Sequence, residues 1–76
     1  MMGYDLEVDA IGLKCPMPIL RCKKGLNTIQ TNQILKISTT DKNAAKDLKV
    51  FCHQTGHELI SFETIGDVTT SYIRKN

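Results

Sequence analysis

Asp5-Leu6-Glu7-Val8-Asp9-Ala10-Ile11-Gly12-Leu13-Lys14-Cys15-Pro16-Met17-Pro18 changes its period part-way along, and that change sets the fold class. Asp5 to Asp9 alternates polar and apolar residues, which predicts a strand with one face in water. Gly12 interrupts it. Cys15-Pro16-Met17-Pro18 then predicts a helix start, with Pro16 at the first helical position, where its missing N–H would be unpaired anyway. Ile19, Cys22, Leu26 and Ile29 recur at spacings of three and four, one stripe of an amphipathic helix ending near Ile29-Gln30. Gly25 inside that helix costs about 1 kcal/mol relative to alanine.

Downstream, Ile34 to Thr39 is rich in β-branched residues and predicts a second strand. Asp41 or Asn43 can cap a second helix with the stripe Ala44, Leu48, Phe51, Cys52 and Thr55. Gly56 stands where a left-handed residue would end it. Leu59–Ile65 and Val68–Ile73 predict two strands joined by Gly66-Asp67, a two-residue hairpin signal. The order is βαβαββ. It predicts an α/β two-layer sandwich, two helices on one face of a four-stranded mixed sheet, with the other face left to solvent or a partner.

Composition narrows the function. A 76-residue chain makes one domain with a thin core. Its 41% hydrophobic and 24% charged residues are globular rather than disordered. No apolar run reaches the length of a membrane span, and Met1-Met2-Gly3-Tyr4-Asp5 shows no secretory signal. Three cysteines are too few for a disulfide-stapled scaffold, which points to a reducing cytoplasm. A net charge of +2 and four aromatics argue against a basic stripe or a base-stacking platform.

Cys15 is the candidate nucleophile. The following proline pushes it out of the α region, which suits an N-cap residue with its sulfur at the positive end of the helix dipole. Thiolates there are favoured, and the thiolate is the attacking species. Lys14, Arg21, Lys23 and Lys24 add positive potential. Because Pro16 and Pro18 remove two N–H groups of the first turn, only Met17 N–H is left to donate to the sulfur, so a modest lowering of the thiol pKa is expected. Gly12, Leu13, Lys14, Pro16 and Pro18 form the supporting motif.

The remaining candidates read as structure. Cys22 and Cys52 lie on the apolar stripes and are expected in the core. Cys15 and Cys22, seven residues apart on a helix, are separated by about 10.5 Å, too far for a disulfide. Cys52 and His53 point about 100° apart, while His53 and His57 share a helical face at i, i+4. Two imidazoles are a weak ligand set, so no metal site is expected. The glycines form neither a Walker loop nor a dinucleotide fingerprint, so no cofactor is expected.

Asp9-x-x-Gly12-Leu13-x-Cys15-Pro16-x-Pro18 resembles the signature of the TusA/SirA/YedF-like sulfur carrier family. The likeness continues through Gln33-Ile34-Leu35, Thr40-Asp41, Phe51-Cys52-x-x-Thr55-Gly56-His57-Glu58-Leu59 and Tyr72-Ile73-Arg74-Lys75, so residues 1–76 read as one carrier domain. The resemblance implies a βαβαββ sandwich in which Cys15 accepts sulfur as a persulfide from a cysteine desulfurase or similar donor. Cys15 then relays it to an acceptor protein, as a sulfurtransferase-like carrier rather than a turnover enzyme. In the best-known branch the sulfur ends as 2-thiouridine in tRNA. Other branches serve molybdenum-cofactor maturation, sulfur oxidation, thiosulfate uptake or selenium metabolism. A monomer is expected, with no direct nucleic-acid contact and no membrane insertion. Lys42 departs from the family pattern, where proline is common, and is expected to leave the cysteine site unaffected. The competing classes are a regulatory or RNA-binding module of the same fold and a thiol-disulfide redox protein, the latter lacking a resolving cysteine.

Overall fold

The computed structural model describes residues 3–76; Met1 and Met2, which open the stretch read for a secretory signal, lie outside them. The chain runs β1 (Leu6–Ala10), α1 (Met17–Leu26), β2 (Ile34–Thr39), α2 (Ala44–Thr55), β3 (Glu58–Ile65) and β4 (Val68–Arg74). The strands lie in the order β1-β2-β4-β3, with β1 and β2 parallel and the other neighbours antiparallel. The mixed sheet and the βαβαββ order agree with the sequence reading.

Alternation in the strands decides what faces the helices. Leu35, Ile37 and Thr39 of β2 are buried, and the residues between them are only half-covered. With Ala10 and Ile73 from neighbouring strands, they meet Cys22 and Leu26 of α1 and Leu48 and Cys52 of α2 in one core. α1 packs on β1 and β2, and α2 on β3 and β4. On the open face Lys36 lies 3.7 Å from Glu7 and 5.0 Å above the Tyr4 ring, a polar surface.

The end of the first helix differs from the expectation. α1 ends at Leu26, because Asn27 N–H and Thr28 N–H turn back to Lys23 O and Gly25 O. Ile29 therefore leaves the helix yet still reaches the core, at 8% exposure. The spacing had merged a turn residue into the helical stripe. α2 ends as expected at Gly56, whose φ of +84° is open to glycine at little steric cost. His57 consequently lies beyond α2, and does not share a helical face with His53. Its Nδ1 accepts the Asn76 N–H, at 3.0 Å. Thr55, placed on the α2 stripe by its spacing, is exposed and donates its hydroxyl to Phe51 O.

The parallel pair matters most for function. Because Ala10 is registered with Thr39, β1 and β2 deliver their C-terminal ends side by side. The loop after β1, which carries Cys15, therefore meets the loop after β2.

Candidate functional site

The Cys15 loop is built from backbone hydrogen bonds. Leu13 N–H returns to Ala10 O at 3.2 Å, and Met17 N–H to Lys14 O at 2.8 Å. The second bond closes a four-residue turn with Cys15 and Pro16 at its centre, and the peptide bond between them is cis. Leu20 N–H bonds to Pro16 O at 3.1 Å, so Pro16 is the N-cap of α1 and Cys15 lies one residue outside it. This corrects the expectation that Pro16 is the first helical residue and Cys15 the cap. Cys15 is exposed, while Cys22 and Cys52 are buried and unpaired. Pro18, part of the supporting motif, is fully buried and packs the helix start down.

The second loop supplies the rest. Gly12, at φ +82°, donates its N–H to Thr40 Oγ1 at 2.8 Å. Cys15 N–H donates to Asp41 Oδ2 at 2.8 Å. Gly12, Leu13, Lys14 and Cys15 on one side and Thr40, Asp41, Lys42 and Asn43 on the other line a shallow open cleft. Lys42, which departs from the family pattern, lies on the far side of this cleft from Cys15. Asp47, from the first turn of α2, completes the surroundings of the sulfur.

The electrostatics reverse the expected sign. The Asp47 carboxylate, as an acceptor for the thiol proton, holds the Cys15 pKa above its ordinary value; slight desolvation and the charges of Asp47 and Asp41 push the same way. The helix end is poorly furnished to offset them, because Pro16 and Pro18 have no N–H and the Met17 N–H is taken by Lys14 O. Lys23 and Lys24 lie in the last turn of α1, at its far end from Cys15. Burial pushes the Cys22 thiol up to about 12 and the Cys52 thiol up to about 11, so neither supplies a thiolate near neutrality.

Of the residues singled out in the sequence, Gly12, Leu13, Lys14 and Cys15 converge on the cleft, and Pro16 and Pro18 support it from α1. The sequence reading gives Asp41 as a helix cap and a part of the family likeness, without a place at the cysteine, and does not single out Asp47. A signal for Asp41 was present: in parallel βαβ arrangements the loops after the strand C-termini meet, so residues just after β2 belong beside those after β1.

A family model described as Sulfurtransferase TusA matches residues 6–75. The chain belongs to the TusA family. The sulfur carrier protein TusA of Allochromatium vinosum is 42% identical over 76 residues, covering 100% of both chains. A putative sulfur carrier protein of Bacillus subtilis, YrkI, is 42% identical over 74 residues, covering 97% of this chain and 99% of its own. The crystal structure of a SirA-like protein from Desulfitobacterium hafniense superposes with a TM-score of 0.81 over 92% of this chain and 96% of its own, at 21% identity, and shares the fold. In this TusA-family chain the Cys-Pro-x-Pro element opens α1, with Cys15, Pro16 and Met17 exposed and Pro18 buried.

Proposed function

We propose that this TusA-family chain acts as a one-domain sulfur carrier, holding sulfur as a persulfide on Cys15. The observation that carries this reading is the contrast among the three cysteines: Cys15 stands exposed at the apex of a hydrogen-bonded turn, and Cys22 and Cys52 are sealed in the core. The donor is a cysteine desulfurase or a similar persulfide protein, and the acceptor a protein cysteine. A reducing cytoplasm suits a free thiol, and 2-thiouridine in tRNA is one destination for the sulfur. In loading, the Cys15 thiol gives up its proton and its sulfur attacks the outer sulfur of the donor persulfide. A Cys15–sulfur bond forms, the donor S–S bond breaks, and the donor thiolate leaves and takes up a proton. Delivery repeats the exchange with Cys15 as the leaving group. Nothing in it requires oxidation or a cofactor.

Loading with sulfur-35 from labelled cysteine and a desulfurase tests the reading. Cys15→Ser is expected to abolish labelling, and Cys22→Ser to retain it. Wild-type labelling of Cys15→Ser would overturn the assignment of the sulfur to Cys15.

A further inference from the structure

Thr40-Asp41, a part of the matched sequence with no role in the exchange so far, touches the Cys15 loop at two backbone amides. Gly12 N–H reaches Thr40 Oγ1 and Cys15 N–H reaches Asp41 Oδ2, each at 2.8 Å. The other carboxylate oxygen, Asp41 Oδ1, accepts the Asn43 N–H at 3.2 Å, just ahead of α2. One side chain therefore ties the turn that holds the sulfur to the start of the second helix. No other side chain bonds the Cys15 backbone among the described residues. A carboxylate can accept from both amides at once, whereas a carboxamide has one acceptor oxygen and turns N–H groups toward the other partner.

We propose that Asp41 is the positioning residue of the carrier: its carboxylate sets the backbone of the Cys15 turn in the orientation at which sulfur is exchanged with a partner protein. The proposal rests on the reading of Cys15 as the sulfur acceptor. The clamp has a counter-effect. The Asp41 charge lies beside the thiol and, with Asp47 of α2, opposes its ionisation; Lys14 on the same loop and Lys42 on the opposite one are the cations that line the cleft. Losing Asp41 therefore raises the intrinsic reactivity of Cys15 while degrading its presentation. A merely structural residue would not separate the two.

The test uses the full chain as wild type, Asp41→Ala and Asp41→Asn. It measures the pH midpoint of iodoacetamide alkylation, loading by a low-molecular-weight persulfide, and loading by a desulfurase carrying its own persulfide. In Asp41→Ala the alkylation midpoint moves down and small-donor loading is unchanged or faster. Loading from the protein donor falls about tenfold or more, the scale of a misplaced reacting group. Asp41→Asn lies between and carries the test if the alanine variant does not fold. Protein-donor loading at the wild-type rate overturns the proposal. So does an equal slowing with both donors with the alkylation midpoint unmoved, which is loss of fold. If wild type loads from neither donor, the carrier reading itself fails, a result distinct from either of these.

Discussion

Alanine at position 25 sets two effects of similar size against each other. Gly25 lies inside α1, where alanine favours the helix by about 1 kcal/mol. A Cβ there would meet Leu35 Cδ1 at 2.7 Å, Val8 Cγ2 at 3.0 Å and Leu6 Cδ2 at 3.2 Å. Carbon pairs prefer about 3.5–4.0 Å, so all three contacts are compressed. Leu6 and Val8 are half-buried on the edge strand β1 and have room to turn away. Leu35 has none: it is fully buried under the helix. Overpacking of this kind costs about 1–3 kcal/mol. Subtracting the propensity gain leaves Gly25→Ala destabilised by about 1 kcal/mol, out of a total of roughly 4–11 kcal/mol for a domain of this size. At about 1 kcal/mol per molar urea, the denaturation midpoint followed by far-UV circular dichroism drops by about 1 M. A midpoint at or above that of wild type would refute the account: α1 would then be free to rise from the sheet, and Gly25 would be only a propensity defect.

Cys22→Ser and Cys52→Ser are each expected to lower stability by about 1–3 kcal/mol, because a buried hydroxyl needs a partner, while persulfide loading on Cys15 continues; urea midpoints unchanged in both would show that the core assignment is wrong. The same two thiols make stability depend on alkaline pH. Their pKa values rise from 9.0 to about 12 and about 11 on folding, so their contribution is complete below pH 9 and is lost progressively as pH climbs through 11–12. Urea titrations across that range are expected to show a shallower decline in Cys22→Ser. Asp47→Asn removes the main cause of the raised Cys15 pKa, so the midpoint of its alkylation profile moves down and reaction at neutral pH is faster; an unmoved midpoint would show that Asp47 does not act on the sulfur.

Local patterns carried most of the fold. The period-two run before Ala10, the three-and-four spacing through Cys22 and Leu26, and Gly56 at a helix end each report a choice made within a few residues, where backbone sterics and amphipathicity dominate. For the same reason Cys15 stood out from Cys22 and Cys52: a cysteine before proline and off both stripes is legible without a partner in view. Ile29 is core without being helical, because burial is a property of position and not of secondary structure. The sign of the Cys15 pKa failed because it depends on charges far away in sequence. Asp41 and Asp47 are brought to the sulfur only when β1 and β2 pair in parallel and their trailing loops meet, and the one N–H the sequence offered to the thiolate is turned to Lys14 O by the path of the turn. The elements, their order and the singling out of Cys15 from the two core cysteines were thus legible in the chain, all governed by near-neighbour chemistry. The strand order β1-β2-β4-β3, the opposing Thr40-Asp41 loop and the field around the thiol were decided only by the tertiary structure, because each arises between groups whose distance is set by packing rather than by the chain.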